Sequence, residues 1–252
     1  MKIRITENQY NQLVGEQISL QEQEVSGVKC KLLDKVVGRG TCKKVNAFIK
    51  RLKNPTTADF EYMAGMSKKK LKAILKVLPG KSDGGAPTAY PIPEIGEIEK
   101  HINSCYGYRT STGTDRLHSG VDLDTYGISP NQPLIATCAG TIVSADESGG
   151  DCGGFMKIEC NNGDAVGYCH LRVVPENLYG LRVPKGFPIG VSGGGGGDPV
   201  AGRGNSGGPH LHYITWRGNE KINPINMIEG GHSIPASGSE NRKGEFCDPN
   251  AK

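Results

Sequence analysis

Two short strings hold most of the chemistry in this chain: His118-Ser-Gly-Val-Asp122 and Gly208-Pro-His-Leu-His212. In an extended strand, successive side chains alternate between faces, so His210 and His212 share one face and Leu211 takes the other. His118 and Asp122 also share a face if their stretch is extended, which leaves Val121 and Leu123 for the core. Two imidazoles and one carboxylate leave a fourth position open on Zn²⁺, the arrangement of a catalytic rather than a structural site. Histidine is scarce: His101, His118, His170, His210, His212 and His232 are the whole complement. Four of them fall within three compact motifs, the third being Tyr168-Cys-His-Leu171.

The order Gly107-Tyr-Arg109, Leu117-His-Ser-Gly-Val-Asp-Leu123, Ala136-Thr-Cys-Ala-Gly-Thr-Ile-Val143, Tyr168-Cys-His-Leu171 and Gly208-Pro-His-Leu-His212 resembles the lysostaphin-type (LytM-like) zinc endopeptidases. The resemblance runs from roughly Ile102 to Trp216. It implies a mainly β, antiparallel catalytic domain with the duplicated hybrid motif fold. It implies hydrolysis of peptide bonds in bacterial peptidoglycan, in stem or cross-bridge. It further implies one Zn²⁺ per chain held by His118, Asp122 and His212, with His170 and His210 as the catalytic histidines. Zn²⁺ would polarise the scissile carbonyl and make water a nucleophile near neutral pH. No Glu is placed as in the His-Glu-x-x-His metalloproteases, so the base comes from elsewhere, and histidine suits proton transfer near pH 7. The residues leave open which of His170 and His210 moves the proton and which stabilises the oxyanion. They also leave open whether one of them only holds a supporting hydrogen bond.

Two departures from the family stand out. Some members carry a substrate-facing Tyr shortly before the first ligand, whereas Thr110-Ser-Thr-Gly-Thr-Asp-Arg116 has none; Tyr108 and Arg109 are the alternatives. The Gly-rich approach to the last motif is lengthened by Asp198-Pro-Val-Ala-Gly-Arg203. A flexible surface loop is the favoured reading of that stretch, and a groove wall is the other.

Several elements must position these side chains. Thirty-seven glycines and 15 prolines suit a turn-rich β domain. Leu134–Ala136, Gly140–Ser144, Phe155–Glu159 and Ala165–His170 read as strands, with a turn at Asn162-Gly163 and a lead-in helix over Ile98–Ile102. Upstream, Glu7–Val14 reads as a short helix. Val45, Phe48, Ile49 and Leu52 recur at helical spacing, as do Leu71, Ile74, Leu75 and Leu78, and Thr57-Ala-Asp59 starts a further short helix. The expected organisation is a basic helical module over 1–80, a Pro/Gly linker over 81–93, a zinc endopeptidase domain over 94–228 and an extended tail over 229–252 pinned by Cys247.

Charge supports that division. Residues 1–81 carry 17 Lys and Arg against 7 Asp and Glu, a net of +10, whereas the remainder nets −6. A basic module fits an anionic polymer or a phage protein partner, but a merely solvated lysine face explains it equally well. It lacks the aromatic interleaving of a single-strand nucleic-acid binder, so no nucleic acid is expected. Eight cysteines and an extracytoplasmic substrate favour disulfides; Cys30–Cys42 is the first expectation among 105 pairings. The opening decapeptide lacks the apolar core of a signal peptide, and no membrane span is visible. Action in the periplasm or cell wall then implies a bacteriophage enzyme, virion-associated or released at lysis. The alternative is a non-catalytic wall-binding or virion structural protein that retains the fold.

Overall fold

Alternating apolar side chains build the principal sheet. In a computed structural model, the residues described are 57–77, 89–92, 102–109, 116–125, 131–198, 200–228, 231–234 and 247–251. The strands run β1 (Ile102–Ser104), β2 (Gly107–Arg109), β3 (Arg116–His118), β4 (Val121–Asp124), β5 (Pro133–Ile135), β6 (Gly140–Asp146) and β7 (Phe155–Cys160). They continue with β8 (Asp164–Cys169), β9 (Leu171–Val173), β10 (Arg182–Val183), β11 (Pro188–Ser192), β12 (His210–Arg217) and β13 (Glu220–Ile222). The large sheet has the order β1-β4-β12-β8-β7-β6-β10, with β13 also paired to β12. A second sheet has the order β5-β11-β9, and β2 pairs with β3 alone. Every pairing is antiparallel.

The register places one apolar row across the large sheet. Leu211 faces Leu123, Tyr213 faces both Val121 and Tyr168, and Met156 faces Tyr168. Ile158 faces Val166 and Ile142. All of these are fully buried, together with Leu134, Ile189 and Val191 of the second sheet and Leu171 of its third strand. Cross-strand burial of this kind fixes register, because a slip of one residue turns every side chain to the other face.

The strand expectations hold with small shifts. β8 stops at Cys169, so His170 lies just beyond it. Asn162-Gly163 forms the β7–β8 turn, with Gly163 at φ 90°. The expected helix over Ile98–Ile102 is not seen at Ile102, which opens β1 and pairs with Leu123; the positions before it lie outside the described residues. The helical readings over 7–14 and 45–52, Leu78, and the Cys30–Cys42 pairing also lie outside them.

Helices α1 (Thr57–Ala64) and α2 (Lys68–Val77) turn Phe60, Met63, Leu71 and Ile74 into the same apolar cluster as the sheets. The Asn177 side-chain amide donates toward the Met63, Ala64 and Met66 carbonyls at 2.8, 3.0 and 2.7 Å. Carbonyls at a helix C-terminus have no partner within the helix, so Asn177 ties α1 to the β structure. Among the described residues, three disulfides join Cys105–Cys247, Cys138–Cys160 and Cys152–Cys169. The first pins the tail, as the sequence indicates. Among the described residues, no helix is long and apolar enough to cross a membrane.

A polar knot lies inside this core. Thr137 Oγ1 is 2.8 Å from the Tyr213 hydroxyl and 3.1 Å from that of Tyr168, and Thr137 N–H donates to the Tyr168 hydroxyl. A buried hydroxyl without a partner costs about 1–3 kcal/mol. Thr137→Val removes the Tyr213 partner and is expected to lower unfolding free energy by about that amount. Urea denaturation measures the loss, and adding Tyr213→Phe is expected to recover part of it.

Candidate functional site

His212 lies on β12 directly opposite Asp122 on β4, while His210 lies opposite Asp124. Leu211 is buried on the core side, so His210 and His212 share the other face as their spacing requires. His118 arrives differently. It ends β3, outside the large sheet, and Ser119-Gly120 carries the chain into β4. The stretch from His118 to Asp122 is therefore not one extended strand. Gly120 makes the crossing feasible: a Cβ there would lie 2.5 Å from the Tyr213 carbonyl oxygen and 2.8 Å from the His212 ring.

Three ligand atoms converge. His118 Nε2 is 3.1 Å from Asp122 Oδ1 and 3.0 Å from His212 Nδ1, and His212 Nδ1 is 2.7 Å from Asp122 Oδ1. The Cys105 carbonyl lies 2.6 Å from His118 Nδ1. It accepts that ring's N–H, which leaves the Nε2 lone pair aimed at the other two donors. Three electron-pair donors packed this closely repel unless a cation lies among them. His118, Asp122 and His212 thus fit a metal ion, with their ligand atoms all within 4.8 Å of one another.

Two further histidines border the cluster. His210 Nδ1 is 2.8 Å from the Gly208 carbonyl and 3.2 Å from Ser206 Oγ, and its Nε2 is 3.6 Å from Asp122 Oδ1. His170 Nδ1 is 2.9 Å from the Arg203 carbonyl, and its main-chain N–H donates to the Cys152 carbonyl at 2.7 Å. The His170 and His210 rings meet edge to face at 4.7 Å between centroids, and His170 is 6.0 Å from the His212 ring. His170 has φ 62°, the one positive φ outside glycine among the described residues. That conformation costs a non-glycine residue roughly 1–2 kcal/mol, so the surroundings must impose it.

The electrostatics follow from burial. Burial pushes the Asp122 carboxyl up, but hydrogen bonds from His118 and His212 and the imidazolium charges outweigh it and hold it well below the usual carboxylate range. His170 is pushed down to about 4, first by burial and then by repulsion from His210 and His212. Burial likewise lowers His212, against the pull of Asp122.

All five expected site residues meet in one place. Arg203 lies in the segment that lengthens the Gly-rich approach, and this segment forms the short helix α3 (Val200–Arg203). Asp198 within it pairs with Arg172 at 2.6 Å and accepts from Gly195 N–H. The loop therefore packs against His170 through the Arg203 carbonyl. Tyr108, on β2, is solvent-exposed. The sequence reading missed Gly120, Ser206 and the Cys105 and Arg203 carbonyls. Gly120 and Ser206 have a sequence signal, as small residues inside or just before the two histidine motifs; main-chain acceptors leave none.

Residues 116–224 match the model of peptidase family M23, so this stretch of the chain, which holds all five histidine and aspartate positions of the site, is similar to that family. An uncharacterized metalloprotease of Haemophilus influenzae is 26% identical over 166 residues, covering 65% of this chain and 32% of the relative. The DD-carboxypeptidase/endopeptidase Mpg of Neisseria meningitidis is 30% identical over 132 residues, covering 52% of this chain and 27% of the relative. The chain thus spans about a third or less of these curated relatives. The lysostaphin catalytic domain of Staphylococcus simulans is 25% identical, covers 51% of this chain and 90% of that one, and has a TM-score of 0.39.

Two outcomes are expected. His212→Ala abolishes stoichiometric Zn²⁺ uptake, while His170→Ala retains it; metal analysis after gel filtration checks both. In metal-free protein, a histidine held down at about 4 against an ordinary 6.5 favours the fold only while neutral. The unfolded chain binds its proton first as acid is added, so stability falls as pH drops from about 6.5 toward 4. Denaturation curves across that window are expected to show a steeper loss for the wild type than for His170→Asn.

Proposed function

We propose that this protein is a Zn²⁺ metalloendopeptidase that hydrolyses peptide bonds in bacterial peptidoglycan. The observation that carries the reading is the convergence of His118, Asp122 and His212 on one point with His170 and His210 at its border. Two imidazoles and a carboxylate form the donor set of catalytic zinc, with a position left for substrate. Bound there, Zn²⁺ supplies a Lewis acid that polarises the scissile carbonyl and activates water near neutral pH.

The chain's own histidines do the rest. His170 and His210 each give the Nδ1 proton to a fixed main-chain carbonyl, which leaves Nε2 free to take or give a proton. Burial keeps His170 neutral at pH 7, so it is poised to accept the proton of the attacking water. His210, whose Nε2 lies 3.6 Å from Asp122 Oδ1, borders the same point and is the second group placed to meet the developing oxyanion or the leaving group. The similarity to a protein named as a DD-carboxypeptidase/endopeptidase supports a stem-peptide or cross-bridge substrate containing D-amino acids. Three disulfides support action outside the cytoplasm, where such bonds persist.

Digestion of purified sacculi tests the reading. Soluble muropeptides are expected, with release stopped by chelator and restored by Zn²⁺, and mass spectrometry identifies the bond cut. Retention on sacculi with no chelator-sensitive release from any wall type would point instead to a non-catalytic wall-binding protein.

A further inference from the structure

The Cys152–Cys169 disulfide stands immediately beside His170 and is not needed to explain the metal cluster. Its surroundings give it a specific task. Cys169 ends β8 and is fully buried, while Cys152 ends a short 3₁₀ turn (Gly150–Cys152) and is partly exposed. The bond is the covalent tie between that turn and the residue preceding His170.

Both anchors of His170 depend on the same turn. The Cys152 carbonyl holds the His170 main-chain N–H at 2.7 Å. The Arg203 carbonyl holds His170 Nδ1 at 2.9 Å. Arg203 is placed by the turn in its own right: Gly154 N–H donates to the Gly202 carbonyl at 2.8 Å, and Asn205 N–H donates to Asp151 at 2.8 Å. Gly153 packs so closely here that a Cβ would collide with Gly204 N and the Gly202 oxygen. One turn therefore sets the left-handed backbone of His170 and the orientation of its ring. Releasing the turn frees both.

We propose that the Cys152–Cys169 disulfide positions His170 for turnover and makes the site dependent on an oxidising environment. A dithiol reverses it: the reductant's thiolate attacks the sulfur of Cys152, the less buried of the two residues, and expels Cys169 as a thiolate, which takes up a proton. The reductant's second thiol then releases Cys152 as a thiol and closes to the reductant's own disulfide. Two electrons and two protons pass to the two cysteines. His212 lies opposite Cys169 in the β12–β8 ladder, but the hydrogen bonds that orient His118, Asp122 and His212 run to one another and to the Cys105 carbonyl, so metal binding is expected to survive loss of the tie. The inference rests on the hydrolase reading, because a wall-binding protein has no turnover to lose.

The test compares oxidised wild type, Cys152→Ala/Cys169→Ala and, as a remote control, Cys138→Ala/Cys160→Ala. Misplacing a catalytic group by about 1 Å can cost on the order of 10²-fold. The first double variant is expected to lose kcat on that scale, with Zn²⁺ content unchanged and KM within about twofold, while the control keeps its kcat. NMR of isotope-labelled histidine is expected to show the His170 ring signals shifted in the first variant alone. Full kcat with unshifted His170 signals in that variant overturns the proposal, as does loss of Zn²⁺ in parallel with activity. Should the variant not fold, stepwise dithiol titration of the wild type with disulfide mapping replaces it. Activity must then fall in step with opening of Cys152–Cys169, and opening without loss of kcat overturns the idea. If oxidised wild type releases no muropeptides, the hydrolase reading fails instead, and the His170 signals still report whether the disulfide positions the ring.

Discussion

The pairing of β12 with β4 is the constraint on which the site depends. Leu211 against Leu123 and Tyr213 against Val121 bury one face of the ladder, and burial admits one register. The same register puts His212 across from Asp122 on the opposite face. The metal geometry is thus a by-product of apolar packing several ångströms away. A slip of one residue would expose Leu211 and send both histidines into the core. The polar knot of Thr137, Tyr168 and Tyr213 adds direction to that packing, because the Tyr213 hydroxyl reaches its partner only from this register.

Strands supply only part of the site. Asp122, His210 and His212 come from the ladder, whereas His118 ends β3 outside the large sheet and His170 lies just past the end of β8. Strand residues are oriented by the pleat, but turn residues need external anchors. His118, His170 and His210 all find one in a main-chain carbonyl at Nδ1. The outcome is shared: Nδ1 carries the proton toward a carbonyl, and in His118 and His210 the other nitrogen lies toward Asp122. Orientation by a second hydrogen bond is what makes histidine useful as a ligand or base.

The alternation of His-Leu-His and the Val-Asp-Leu string made the shared face legible from sequence, and the β5 to β8 strands were legible from apolar runs between turn residues. His118 was not placed correctly by alternation alone, since the chain changes sheet at Ser119-Gly120. The loop ahead of His210 read as surface because glycine and proline mark irregularity without saying what it packs on, yet it carries the Arg203 carbonyl to His170. The helical spacing of Leu71 and Ile74 showed an apolar stripe without showing what covers it, which is the same core that fills the sheets. Cysteine pairing was beyond reach because connectivity depends on distances that only the fold creates.

The buried cluster also explains why the site needs a cation to be complete. Burying imidazoles and a carboxylate removes water from each of them. Without metal, protons carried by the imidazoles must bridge the lone pairs of His118, Asp122 and His212, and the hydrogen bonds they make to Asp122 hold its carboxyl ionised well below the usual carboxylate range. A divalent ion satisfies the same three lone pairs at once and releases the protons. Proton and metal therefore compete for one set of atoms. His170 stands outside the three converging ligand atoms, with its Nδ1 committed to the Arg203 carbonyl and its backbone N–H to Cys152. The fold thus separates the three converging ligand atoms from the His170 ring, although all sit within one small volume.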